Sequence, residues 1–287
     1  MGYYNILGLE KEPFSTSPDP NFFYRSQEHK TALTKILIEI RLRRGLSVIL
    51  GDVGTGKTTL SRKLFQLLDS RDNIEFHMIL DPCYDTEYMF LLSLSKIFDI
   101  KMDVSEPNII DLKQGIKQFL FQKGVNENKI IVLLVDEIQK INSVSLEALR
   151  MLLNYETNEF KLLQLVLLGQ IEFFPRILKT KNLIDRVSLK YTLGPFDEQE
   201  TKEMIKFRIR QAGYRGREGL FKEDAFKKIY LYTKGSPRRI AMLCHTALKA
   251  LVMKNKSIVD NKIIEEIIES ELRLGWQNKD LILKNSY

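Results

Sequence analysis

The sequence is poor in cysteine: two in 287 residues, Cys83 and Cys244, with no second thiol near either. That excludes a disulfide framework, a CxxC redox pair and a cysteine zinc site. Both are expected to be free, buried or half-buried thiols in a reducing compartment. Long apolar runs are also missing. Ile130–Val135 and Leu162–Leu168 are strand length, well short of the ~20 residues of a membrane-spanning helix. The start, MGYYNILGLEKEPF, lacks the basic residues and apolar core of a secretory signal. Ile6 stands where a myristoylation signal needs Ser or Thr. With 15 glycines and 8 prolines, collagen-like and low-complexity readings fail. No internal repeat is visible. The expectation is a cytoplasmic chain with no transmembrane segment.

What is present is ordinary globular composition, 44% hydrophobic and 28% charged. The length suits one large domain or two modest ones. The net charge of +7 is unevenly spread. Residues 1–194 hold 25 basic and 24 acidic residues, and residues 195–287 hold 19 and 13. Within 202–239 the count is 12 against 4. Such a local excess suits a polyanion or an acidic partner. It equally suits a solvated face with one or two nucleotide-sensing arginines. If Lys206, Arg208, Arg210, Arg215 and Arg217 face outward, they neutralise several phosphates of DNA.

Periodicity gives the organisation. Residues 1–25 read as irregular but rich in aromatics and prolines, so they should pack on the body. Leu33, Ile36, Leu37 and Ile40 recur at helical spacing, with Arg41, Arg43 and Arg44 at the helix end and Gly45 as its stop. Strands are expected at Leu46–Leu50, Ile74–Leu80, Ile130–Val135, Leu162–Leu168 and Val187–Thr192, with helices between them. That alternation means an α/β fold with a covered parallel sheet. After Gly194-Pro195 the pattern turns wholly helical. Asp197 and Glu200 form a capping box, and Ser236-Pro237 reads as an N-cap followed by proline at the first helical position. Three segments follow: 1–25, an α/β domain over 26–194, and a helical domain over 195–287.

The chemistry concentrates in four places. Gly51-Asp52-Val53-Gly54-Thr55-Gly56-Lys57-Thr58 matches GxxxxGK[ST] between an expected strand and helix, the context of a phosphate-binding loop. Glycines let backbone N–H groups wrap phosphates at a helix N-terminus. Lys57 should reach the β- and γ-phosphates, Thr58 should hold Mg²⁺, and Thr59 should touch the α-phosphate. Asp136 ends the run IIVLLV, where it can hold Mg²⁺ through water. Glu137 is placed to orient and deprotonate an attacking water. Gln170, ending the neighbouring strand, fits a γ-phosphate sensor or an ordinary loop polar group. Arg186 and Arg238 each fit either a phosphate contact or a solvated surface charge; Arg186 would act on a neighbouring subunit as an arginine finger.

This order of parts resembles the AAA+ P-loop ATPases, and within them the ExeA/GspA-like branch. The resemblance rests on YYNILGLEKEPFSTSPDPNFFY, GDVGTGKTTL, LLVDEIQ, LLGQIEF, RVSLKYTLGPFDEQET and KGSPRRIAMLCHTAL, which span residues 3 to about 250. It departs from the branch at GQIEF, where GQPEL is usual. It implies an AAA+ P-loop parallel-sheet domain of ASCE type, followed by a small all-helical lid domain, with residues 1–25 near the adenine. It implies ATP and Mg²⁺ as cofactors and ATP hydrolysis as the activity. Gln170 then looks like sensor 1, Arg186 like the finger and Arg238 like sensor 2. It further implies a homo-oligomer, as a ring or filament, serving a protein partner in a secretion or pilus-type apparatus. Transposition ATPases also look similar, so DNA is the alternative partner. Larger secretion members add a membrane span and a cell-wall-binding domain, which are not seen in this sequence.

Overall fold

The computed structural model describes residues 2–274 apart from positions 16, 18, 103, 104 and 181; the end of the expected lid, 275–287, lies outside the described residues. In chain order the elements are α1 (Tyr3–Ile6), α2 (Gln27–Arg41), β1 (Leu46–Gly51), α3 (Lys57–Leu68), β2 (Ile74–Ile79), α4 (Glu87–Ile97), α5 (Ile109–Phe121), β3 (Ile130–Val135), α6 (Ser143–Leu152), β4 (Leu163–Gly169), α7 (Phe174–Lys179), β5 (Val187–Leu193), α8 (Glu198–Gln211), α9 (Glu223–Thr233), α10 (Pro237–Met253) and α11 (Asn261–Arg273). They divide into two compact units. One comprises residues 27–53 and 57–193. The other comprises 54–56 and the described parts of 1–26 and 194–287.

The first unit is built on a five-stranded sheet of order β2-β3-β4-β1-β5, every pair parallel. β1, β3 and β4 are buried along their whole length, which is why their sequences run apolar without alternation. The two edge strands differ: β2 is half-buried, and β5 varies between buried and exposed positions. Gln164 is a buried polar residue within β4, and both ends of its amide are satisfied. Its Oε1 accepts from Gly45 N at 2.9 Å, and its Nε2 donates to Lys161 O at 2.7 Å. Phe90 and Leu94 of α4, Leu112 and Ile116 of α5 and Leu149 of α6 pack with the sheet in one continuous core. β4 lies between β1 and β3, the ASCE arrangement.

In the second unit α8 to α11 share a core that includes Met204, Ile229, Leu243, Cys244 and Ile264. Leu9, Phe14 and Phe22 from the N-terminal segment belong to that core. That segment is less irregular than its sequence suggests, because α1 makes one helical turn. Arg208 of α8 ties it down, donating from Nη1 to Ser15 O at 3.2 Å. The Asp197–Glu200 capping box forms at the start of α8. Ser236 holds the N-cap position of α10, but its side chain makes no cap hydrogen bond. Gly235 is required there. Its φ is +71°, and a Cβ would lie 1.8 Å from Phe196 O. Cys244 is buried, whereas Cys83 is exposed, contrary to expectation. Among the described residues no helix is long and apolar enough to cross a membrane.

Candidate nucleotide site

The strand register sets the stage. Leu50 lies opposite Gly169 and Val135 opposite Leu167, so β1, β4 and β3 end together at one edge of the sheet. Ligands of open α/β sheets bind outside the carboxyl ends of the strands. Gly51 ends β1 and Lys57 opens α3. Between them Gly54 and Gly56 take φ of +84° and +94°, conformations that side chains resist. Gly54–Gly56 group with the helical unit. There Arg238 N donates to Gly54 O at 3.3 Å, and a Cβ on Gly54 would come within 2.8 Å of Arg238 Cβ. Val53 is exposed, Thr55 is buried and Thr59 is half-buried.

Lys57 is only 6% exposed. Its Nζ donates to Gly51 O and Asp52 O, both at 2.8 Å. Burial lowers the pKa of its ammonium, while the negative charges of Glu137, Asp136, Asp52 and Glu172 oppose that shift. Asp136, 1% exposed, follows directly on β3. Its Oδ1 accepts from Glu137 N at 2.9 Å and its Oδ2 from Ser61 Oγ at 3.3 Å. Burial raises its pKa, and hydrogen bonds from Glu137 N, Thr58 and Ser61 counter the rise. The contact between the Thr58 hydroxyl and the Asp136 carboxylate puts two hard oxygen donors side by side, the ligand chemistry Mg²⁺ takes. Among the described residues no group of three or more His, Cys, Asp or Glu is arranged to hold a metal ion. A divalent ion held by Thr58 and Asp136 would complete its shell with phosphate and water, as Mg²⁺ does.

Glu137 is half-buried with φ of +52°, an unusual conformation for a residue with a side chain. Its Oε2 accepts from Gln139 Nε2 at 2.5 Å. Gln139 Oε1 in turn accepts from Gln170 N at 3.1 Å, so Gln170 joins the same network through its backbone. Arg176 of α7 secures the turn, donating to Gln139 O at 2.9 Å and to Ile141 O. Arg186 is placed elsewhere: its Nη1 donates to Arg150 O at 3.1 Å in the last turn of α6. Arg150 forms a two-pronged pair with Glu147 at 2.8 and 2.6 Å.

The structure thus gathers Lys57, Thr58, Asp136, Glu137 and Gln170, and seats Arg186 on α6. Sequence reasoning missed Ser61, Gln139 and Arg176. Ser61 lies one helical turn beyond Thr58, a spacing that was there to be used; Gln139 and Arg176 carry no such mark. Of the basic residues considered for an outward face, Arg210, Arg215 and Arg217 are exposed and Lys206 is partly exposed, whereas Arg208 is not. Arg208 turns inward onto the N-terminal segment, and burial lowers its pKa. Lys202 and Lys206 pair with Glu223 at 2.6 and 3.7 Å, Arg215 with Glu10 at 3.3 Å and Lys228 with Glu265 at 2.8 Å. Arg210 and Arg217 are exposed.

A family model described as AAA domain matches residues 40–177. General secretion pathway protein A of Aeromonas hydrophila is 34% identical over 250 residues, 86% of this chain and 44% of that protein. The chain therefore spans less than half the length of that relative. Among solved structures, the ORC2 protein of Aeropyrum pernix superposes with a TM-score of 0.64 at 14% identity, over 91% of this chain and 71% of that one. The RuvB Holliday junction branch migration motor of Thermotoga maritima gives 0.54 at 16% identity, over 87% and 73%. At those identities the likeness is one of fold.

Proposed function

Because this chain belongs to the AAA+ P-loop ATPases, on the branch of General secretion pathway protein A, we propose that it hydrolyses ATP with Mg²⁺ and couples the cycle to its own assembly and to remodelling a protein partner. The observation that carries this reading is a buried ammonium, Lys57, at the start of the helix that follows β1, in the electrostatic field of a buried carboxylate, Asp136, at the end of β3. Each is hard to keep charged alone, and a phosphate–metal pair neutralises both.

In this reading Lys57 and the backbone of Gly51–Gly56 hold the β- and γ-phosphates. Thr58 and Asp136 would hold Mg²⁺, which would supply charge neutralisation to the phosphate oxygens. Thr59 contacts the α-phosphate. Glu137 takes a proton from the attacking water, and Gln170 orients that water. Arg238 contacts the phosphates from the same chain. Arg186 reaches the γ-phosphate held by a neighbouring copy, so hydrolysis requires a ring or filament. The process served is a secretion or pilus-type apparatus, and the place of work is the cytoplasm. The alternative is a DNA-associated regulator: Arg208 turns inward, but Arg210, Arg215 and Arg217 remain exposed on the basic region.

The test is ATP affinity and steady-state hydrolysis for two variants. Lys57→Ala should lose binding. Glu137→Gln should bind as the parent does and lose turnover by about 10²-fold or more, the typical size of a general-base contribution. Near-parental turnover by Glu137→Gln would remove the base assignment.

A further inference from the structure

The proposed base needs something to aim it. A glutamate side chain has three rotatable bonds, and Glu137 starts from a strained backbone at φ +52°. One neighbour fixes the far end of that side chain. Gln139 Nε2 donates to Glu137 Oε2 at 2.5 Å, while Gln139 Oε1 accepts from Gln170 N at 3.1 Å. The two partners together settle which way the amide points, since a carboxylate only accepts and a backbone N–H only donates. The backbone of Gln139 is tied to the same side: its carbonyl accepts from Arg176 Nη1 at 2.9 Å. Gly169 lies so close that a Cβ would meet Ile138 Cγ2 at 2.4 Å. Through both ends of its side chain and through its carbonyl, Gln139 thus joins Glu137 to the segment 170–176 that follows β4.

We propose that Gln139 is a positioning residue that aims the Glu137 carboxylate and couples its direction to the position of Gln170. A shift at the end of β4 then passes to the carboxylate through one amide, without a change in the grip on phosphate. The inference rests on Glu137 acting as the base.

The test uses the full chain with Gln139→Leu, which keeps the side chain's bulk and removes both hydrogen bonds, and Gln139→Glu, which keeps an acceptor for Gln170 N and sets a like charge against Glu137. Each is measured for thermal midpoint, ATP affinity, kcat and KM, alone and combined with Glu137→Gln. The expected result for both single variants is a kcat lowered by about 10-fold or more, with ATP affinity and KM within about 2-fold of the parent. In the Glu137→Gln background neither should lower kcat further, because a residue acting through the base has nothing left to aim. Parental kcat in both single variants overturns the inference. So does a kcat loss that multiplies undiminished in the Glu137→Gln background, or a fall in ATP affinity matching the fall in kcat in both variants. If Glu137→Gln alone turns over like the parent, it is the base assignment that fails, and the two failures are told apart.

Discussion

Substituting Gly169 by alanine perturbs the base without touching the phosphate loop. Gly169 ends β4, and a Cβ there would stand 2.4 Å from Ile138 Cγ2 and 3.2 Å from Gln139 Oε1. Relaxed carbon–carbon contact is about 3.5–4.0 Å, so more than about 1 Å must be opened. Ile138 cannot yield toward solvent, because it is fully buried in the sheet's core. Overpacking of this kind costs about 1–3 kcal/mol. The turn that yields also holds Gln139 against Glu137, and a displacement of about 1 Å at a reacting group is worth on the order of 10²-fold in rate. The expected variant is therefore folded, less stable by about 1–3 kcal/mol in urea unfolding, and slower in kcat by about 10- to 100-fold, with ATP affinity intact. Ile138→Leu, which moves the branch point off Cβ, should recover part of both losses. A variant destabilised as expected but hydrolysing at the parental rate would refute the mechanical link between the end of β4 and Glu137.

Gly235→Ala should be among the most damaging changes in the helical unit. A Cβ there meets Phe196 O at 1.8 Å and φ is +71°, so a loss of about 3 kcal/mol or more is expected in denaturant unfolding. His77 gives a pH signature. It packs against Phe98 and Phe119, and burial lowers its pKa, with Glu75 and the Ile97 carbonyl opposing. The unfolded chain, at about 6.5, takes the proton first. The stability His77 contributes is therefore full above that pH and is lost as pH falls through it. Unfolding midpoints at about pH 7.5 and 5.5 should differ less in His77→Phe than in the parent. Arg186→Ala should bind ATP but hydrolyse it poorly, and mixing it with Glu137→Gln should restore part of the activity. No rescue, together with parental turnover per chain independent of concentration, would remove the trans role.

The sequence exposed those features whose cause is local. β3 is apolar at every position because both faces are covered, and its bounds, Ile130–Val135, are read directly. The phosphate loop carries its own signature, since two of its glycines sit at positive φ. What escaped depends on approach between distant segments. Gln139 looks like any polar residue after an Asp-Glu pair until β4 brings Gln170 N to its amide. Arg208 counts as one more surface cation until the N-terminal segment offers it carbonyls. Ser236 occupies a cap position by pattern, yet no cap bond forms from its side chain. Helix α2 ends at Arg41, with Arg43 at φ +52°, whereas the sequence pointed to Gly45 as the stop.

The helical unit is discontinuous in the chain, and this bears on how the protein is made. Leu9, Phe14 and Phe22 emerge first, but the partners that bury them lie beyond residue 194. The stretch between can collapse onto its own sheet as soon as β5 is synthesised, since its core needs nothing from either end. Once folded, it shortens the tether between the two halves of the helical unit and reduces the entropy lost on joining them. Synthesis thus imposes an order on folding, with the sheet first and the helical unit last. Until α8 and α10 appear, three apolar side chains near the start have no native place to go, and that interval is when the nascent chain is most open to chaperones and to self-association.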